Sequence, residues 1–180
     1  MDFVAKLLAL AEQGDVEAQY KLASYMDPRD PAIYNGIKKN GSEAVRLYTT
    51  AAEAGHADAQ FKLGDFYRYG SLDGTSYDEE LAAKWLKLAA DQGHVDAQFA
   101  LAECYDLGEG VEEDVEEATR LYRIVALQGM PEAQCELASR YADGIGVEKN
   151  MLKAVRWDAA AAARGDSDAQ KWLEEQGLND

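Results

Sequence analysis

Basic residues are the scarce class in this sequence. Eighteen Lys and Arg stand against 34 Asp and Glu, a formal net charge of −16 at pH 7. Nucleic-acid binding needs a basic surface to neutralise phosphates, which this composition does not supply. Docking on anionic lipid is excluded on the same ground. Positively charged protein surfaces remain open as partners, because opposite fields steer association. Cysteine occurs only at Cys104 and Cys135, too few for a disulfide scaffold, and this points to a reduced, cytoplasmic chain. Three prolines and 15 glycines do not make a linker-rich or disordered sequence. No apolar run approaches the roughly 20 residues that span a bilayer. Leu7 to Ala11 is apolar, but Asp2 stands where a signal peptide carries positive charge, and Lys6 interrupts the run. No signal peptide is therefore expected. With 47% apolar residues, 180 residues suffice for one domain over 1–180.

What the sequence does hold is a repeat. The string Gly-x-x-x-Ala-Gln occurs five times, with its glycine at Gly14, Gly55, Gly93, Gly129 and Gly165, at spacings of 41, 38, 36 and 36 residues. Three residues after each Gln stands Leu22, Leu63, Leu101, Leu137 or Leu173. A small residue follows in four copies (Ala23, Gly64, Ala102, Ala138), and Met26, Tyr67, Tyr105 or Tyr141 lies seven after the Gln. Steps of three and four residues put these side chains on one helical face. A second helical stripe precedes each glycine. It holds Ala44, Ala82, Ala118 or Ala154, then Leu47, Trp85, Leu121 or Trp157, then a pair of small residues such as Ala51–Ala52. The glycine suits a left-handed helix cap. Asp58, Asp96, Glu132 and Asp168 fall in the next first turn, where the helix dipole favours carboxylates.

Within each copy the two helices are joined by a glycine turn, Gly108-Glu109-Gly110-Val111 or Gly144-Ile145-Gly146-Val147. The second copy lengthens this turn to Gly70-Ser71-Leu72-Asp73-Gly74, and the first replaces it with a loop from Asp27 to Gly41. Ala-Gln-x-x-Leu-Gly-x-x-Tyr, a Gly-x-Gly-Val turn, Ala-x-x-Trp and Ala-Ala-x-x-Gly together resemble the Sel-one-like repeat, a relative of the tetratricopeptide repeat. The resemblance covers nearly the whole chain. Its departures are the long first loop and a last copy with only its first helix.

The spacing predicts ten helices, over about 2–13, 16–26, 42–54, 57–69, 78–92, 95–107, 114–128, 131–142, 150–164 and 167–176. The fold class is all-α. Stacked pairs share a core that no pair could bury alone, and the product expected is a right-handed solenoid. The resemblance implies that the first helices line its inner face. Their inward positions would then be two before, one after and five after the Gln. These are Glu17, Asp58, Asp96 and Glu132; Tyr20, Phe61, Phe99 and Cys135; and Ser24, Asp65, Glu103 and Ser139. An aromatic stripe between acidic rows is a candidate binding face. Two alternatives stand beside it: the acids satisfy helix dipoles, and the rings pack between repeats.

The long first loop, with Ile33, Tyr34, Ile37, Lys38 and Lys39, is a second candidate, because long irregular loops in compact domains are often functional. Asp91 to Ala118 is a third: it holds ten carboxylates and no Lys or Arg. A basic partner would relieve its self-repulsion.

Catalytic constellations are not evident. His56 and His94 occupy the same repeat position, which assigns them a structural role, and no His-x-x-x-His or Cys-x-x-Cys pair supports a metal. The serines lack a triad's base and orienting group. Gly108-x-Gly110 is too short for a phosphate loop. No cofactor and no enzyme activity are expected. The function read from these residues is the binding of one protein partner with a basic surface, as a bacterial immunity protein binds its toxin or effector. A general adaptor is the alternative. A penicillin-binding type of hydrolase is the third reading, and it is disfavoured because the relatives linked to it are stapled by cysteines.

Overall fold

The computed structural model describes residues 3–31, 34, 36–70, 77–175 and 177. The fold is an all-α repeat fold of ten helices, with no strand among the described residues. They are α1 (Phe3–Glu12), α2 (Val16–Met26), α3 (Gly41–Glu53), α4 (Ala57–Tyr69), α5 (Glu79–Asp91), α6 (Val95–Leu107), α7 (Val115–Gln128), α8 (Pro131–Asp143), α9 (Met151–Ala162) and α10 (Ser167–Glu175). Every expected helix is present, with ends shifted by at most two residues. The expected helical positions Asp2 and Gln176, the loop residues Ile33 and Asn35, and the stretched turn from Ser71 to Gly74 lie outside the described residues.

Capping explains the sharpness of these ends. Asn40, Asp78, Asp114 and Asn150 start the second helices, each accepting a backbone N–H three residues on. Asp15 and Asp166 do the same for the first helices α2 and α10. Gly129 closes α7 in the left-handed region, at φ 96°, where a side chain would be strained.

The repeated Gln has a local task. The side-chain amides of Gln19, Gln60, Gln134 and Gln170 donate to the carbonyls of Ala11, Ala52, Ala126 and Ala162 at 3.0–3.2 Å. Each bond satisfies a terminal carbonyl of the preceding helix, and three of these four Gln are themselves buried.

Contacts divide the chain into two compact units, Met1–Ala97 and Gln98–Asp180. The core of the first holds Leu7, Leu22, Leu47, Tyr48, Leu63 and Phe66, packed over the alanines Ala23, Ala44, Ala51 and Ala59. Leu86 and Gly64 meet in the same unit: a Cβ on Gly64 would lie 2.6 Å from the Leu86 Cγ. The corresponding first helices carry Ala there, at Ala23, Ala102 and Ala138. The core of the second unit holds Leu101, Leu121, Tyr122, Val125, Leu137, Tyr141 and Leu173. Each leucine buried in this way contributes roughly 2 kcal/mol of transfer free energy.

Candidate protein-interaction surface

The sequence-expected residues of the first unit form a ladder. Tyr20 stacks on His56 at 4.5 Å between ring centroids, and Phe61 stacks on His94 at 4.8 Å. Both histidines follow a repeat glycine and cap the next first helix: His56 Nδ1 accepts from the Ala59 N–H and His94 Nδ1 from the Ala97 N–H. With Nδ1 accepting, the ring proton sits on Nε2. From there His56 donates to Glu17 at 3.1 Å, and His94 reaches Asp58 at 3.2 Å. One imidazole thus caps a helix, covers an aromatic ring and binds the acid of the preceding repeat. The structural role expected of these histidines is what the geometry shows. Lys21 also pairs with Glu17, and the Lys21 and His56 hydrogen bonds hold its carboxyl below the usual range.

The rings remain half-buried rather than sealed. Tyr20 also tilts against the buried Tyr48, at 5.9 Å. In the second unit Phe99 meets Tyr122 edge-on at 5.4 Å. Asp96 and Glu132 are exposed, and Glu103 is partly covered. Cys135 is half-buried, and burial, reinforced by Asp166, pushes its thiol up to about 12. Cys104 is buried, and neither cysteine is in a disulfide.

The long first loop joins this surface through Arg29, a residue the repeat register did not single out. Its guanidinium donates to the Asp27 carboxylate and to Asp65 Oδ2, the latter at 3.0 Å, and lies 3.7 Å from the centroid of Phe66. Asp65, expected to be an inward groove acid, is held by Arg29 and is the far anchor of the loop. Lys39 is exposed and donates to the Asp27 carbonyl at 3.0 Å. Tyr34 stacks on Tyr25 with centroids 3.7 Å apart, Ile37 packs on the core, and Lys38 is exposed. Beneath the loop lies a cavity of about 420 Å³, lined by Tyr20, Ser24, Arg29, Tyr48, Lys62 and Asp65 among others. Its signal in the sequence was the Asp-Pro-Arg-Asp run from Asp27 to Asp30.

The acidic stretch is also less bare than it reads. Asp106 pairs with Arg140, Glu117 pairs with Arg120, and Asp114 is spent on capping α7. In these three cases the relief comes from residues outside the stretch or from backbone. Arg140 is almost fully buried, donates to Thr119 and sits over the Tyr122 ring at 4.7 Å. Among the described residues, no three His, Cys, Asp or Glu side chains converge on a metal position, and no helix is long and apolar enough to cross a membrane.

Four consecutive Sel1 repeats match residues 16–56, 57–94, 95–130 and 131–166. A Sel1 repeat protein from Oxalobacter formigenes is 35% identical with a TM-score of 0.78, over 93% of this chain and 64% of its own. A protective antigen of uropathogenic Escherichia coli with an SLR fold is 29% identical with a TM-score of 0.87, over 99% of this chain and 37% of its own. An immunity protein from Pseudomonas aeruginosa shares the fold at 22% identity and a TM-score of 0.51, over 91% of this chain and 58% of its own. The chain thus spans less than two thirds of the length of each relative. Paired helices, the Gln-to-carbonyl bond and a repeat matched from residue 16 to residue 166 lead to one assignment: the chain belongs to the Sel1 repeat family.

Proposed function

We propose that this chain, a module of protein-interaction repeats, is a stoichiometric binder of one basic protein partner and acts as an immunity protein that holds a cognate toxin or effector inactive. The observation that carries the reading is the cavity beneath the first loop, about 420 Å³ of open space walled by polar side chains already fixed by ion pairs and stacking. Groups ordered in advance lose little entropy on binding. The fold shared with the Pseudomonas aeruginosa immunity protein supports the same reading. So does the net charge of −16, which speeds encounter with a basic partner.

The proposed contact set is Glu17, Tyr20, Ser24, Asp58, Phe61, Asp65, Asp96, Phe99, Glu103 and Glu132, with Tyr34, Lys38 and Lys39 from the loop. The half-buried rings would act as anchors, and the exposed Asp96, Glu132 and Lys38 as steering charges. On this reading the chain acts as one domain over 1–180, in the cytoplasm, without cofactor or catalysis of its own.

Capture of partners from native cells, followed by native mass measurement, tests it. A one-to-one complex is expected. The captured partner, expressed alone, should arrest growth of a host cell, and co-expression of this chain should restore it. A partner that is harmless alone refutes the immunity role. The general adaptor is favoured by a different observation: each compact unit carries its own cavity. A complex containing two different partners at once would select it.

A further inference from the structure

The repeat register exposes one position that breaks its own rule. Seven residues before the repeat glycine stand Tyr48, Leu86, Tyr122 and Asp158. The first three are buried core residues, at 1%, 0% and 3% exposure. One residue after the repeated Gln stand Tyr20, Phe61, Phe99 and Cys135. In two copies these positions touch ring to ring, as Tyr20–Tyr48 and Phe99–Tyr122. In the fourth copy both rings are gone. Cys135 and Asp158 replace them, and a cavity of about 370 Å³ opens between α8, α9 and α10.

Its walls have a definite chemistry. Asp143, Asp158 and Asp168 line it together with Cys135, Ser139 and the indole of Trp172, and no Lys or Arg lines it among the described residues. In the first unit Glu17, Asp58 and Asp65 are each matched by Lys21, a histidine or Arg29. Among the described residues none of the three cavity carboxylates has an ion-pair partner. Burial, with the Asp166 charge behind it, pushes the Asp158 carboxyl up to about 6, as expected of an acid lacking a counter-charge. An aromatic face beside carboxylates is the arrangement that holds a desolvated cation.

We propose that this cavity receives the cationic end of a single Arg or Lys side chain presented by the protein partner. The guanidinium or ammonium group would meet Asp158 and lie against Trp172, filling space that two rings fill elsewhere. The proposal rests on the reading of the chain as a protein binder and names the partner chemistry that one of its faces selects.

The test needs no identified partner. The full chain, labelled with nitrogen-15, is titrated with the capped tripeptides Gly-Arg-Gly and Gly-Lys-Gly, with a Gly-citrulline-Gly control of matched shape and no charge, and with spermidine. The indole N–H signal of Trp172, assigned by Trp172→Phe, is the readout. A saturating shift with at least one cationic tripeptide and not with the citrulline one is expected. Asp158→Asn should weaken that binding about tenfold or more, the worth of a charge-assisted hydrogen bond. Asp158→Tyr restores the ring of the other copies and should fold and abolish the shift; if it fails to fold, Asp158→Asn decides alone. Equal shifts with the citrulline peptide, unchanged affinity in Asp158→Asn, or no shift with any probe overturns the proposal. A response to spermidine without one to either cationic tripeptide overturns it in favour of a small-amine site. Toxicity of a captured partner does not enter this measurement, so it fails or succeeds apart from the immunity reading.

Discussion

Removing Arg29 is the sharpest test of how the first loop is held. Arg29→Ala deletes the guanidinium bonds to Asp27 and Asp65 and the stack on Phe66. Asp27 is only 3% exposed and would keep one donor, the backbone N–H of residue 29. Breaking a buried ion pair costs about 3–5 kcal/mol. Here the Arg29 and Asp65 side chains retain 27% and 32% exposure, so water replaces part of what is lost. The expected destabilisation is therefore about 2–3 kcal/mol. For a chain of this size that lowers Tm by about 5–10 °C. Arg29→Lys keeps the charge but not the planar fork, and should recover about half. Thermal unfolding followed by circular dichroism reads the magnitude. Amide exchange reads the place: the Ile37 N–H bonds to Tyr34 and the Asn40 N–H to Met26, and both should exchange faster in the variant. A Tm within about 1 °C of wild type, with Ile37 and Asn40 still protected, would refute the reasoning and leave the loop held by its apolar contacts.

Leu63→Ala should cost ~2–5 kcal/mol, because Leu63 is fully buried; Phe61→Ala should cost less stability but ~2 kcal/mol or more of partner binding, and urea titration with calorimetry separates the two. Equal loss of stability would assign Phe61 to the core. Reversing the exposed Asp96 and Glu132 to Lys should slow association and reduce its salt dependence, read by stopped-flow at two ionic strengths; unchanged rates would remove the acidic rows from the binding face. The Asp158 carboxyl is raised from 3.8 to about 6. The folded state then holds more protons than the unfolded state between these values, and this group's stability contribution falls as pH rises through about 4–6. Asp158→Asn should remove that part of the slope in urea midpoints, and an unchanged slope would count against the assignment. Thiol titration of the unfolded, unreduced protein should find two thiols, and the folded protein should react slowly, because Cys104 is buried and Cys135 is raised to about 12.

The helices were legible because the repeated Leu, Ala and Gly positions carry both period and punctuation, and five copies correct one another's ambiguity. What escaped was whatever lies outside the register or is decided by a partner far along the chain. Asp65 reads as a groove acid in its own helix, and only the fold reveals that Arg29, 36 residues earlier, claims it. The histidines read as structural by position, but their stacking on Tyr20 and Phe61 depends on a neighbour one repeat away. Asn40, Asp78, Asp114 and Asn150 were a capping signal open to the sequence, standing just before each second helix. Asp158 was equally open: aligned on its glycine, it is the one acid where other copies carry Tyr or Leu.

The bond from four of the five repeated Gln to an alanine carbonyl eight residues earlier bears on where such a chain can be cut and rejoined. It ties the second helix of one copy to the first helix of the next, as α1 to α2, α3 to α4, α7 to α8 and α9 to α10. The piece closed by these bonds is therefore offset by one helix from the repeat as the sequence spells it. A crossover at the repeat glycine would join a Gln to a foreign helix end and leave a buried amide to find a new acceptor. A crossover in the turn after a first helix, such as Gly108 to Val111, carries each Gln along with the carbonyl it serves. Recombination between related chains should yield folded products more often at that turn than at the glycine that marks the repeat.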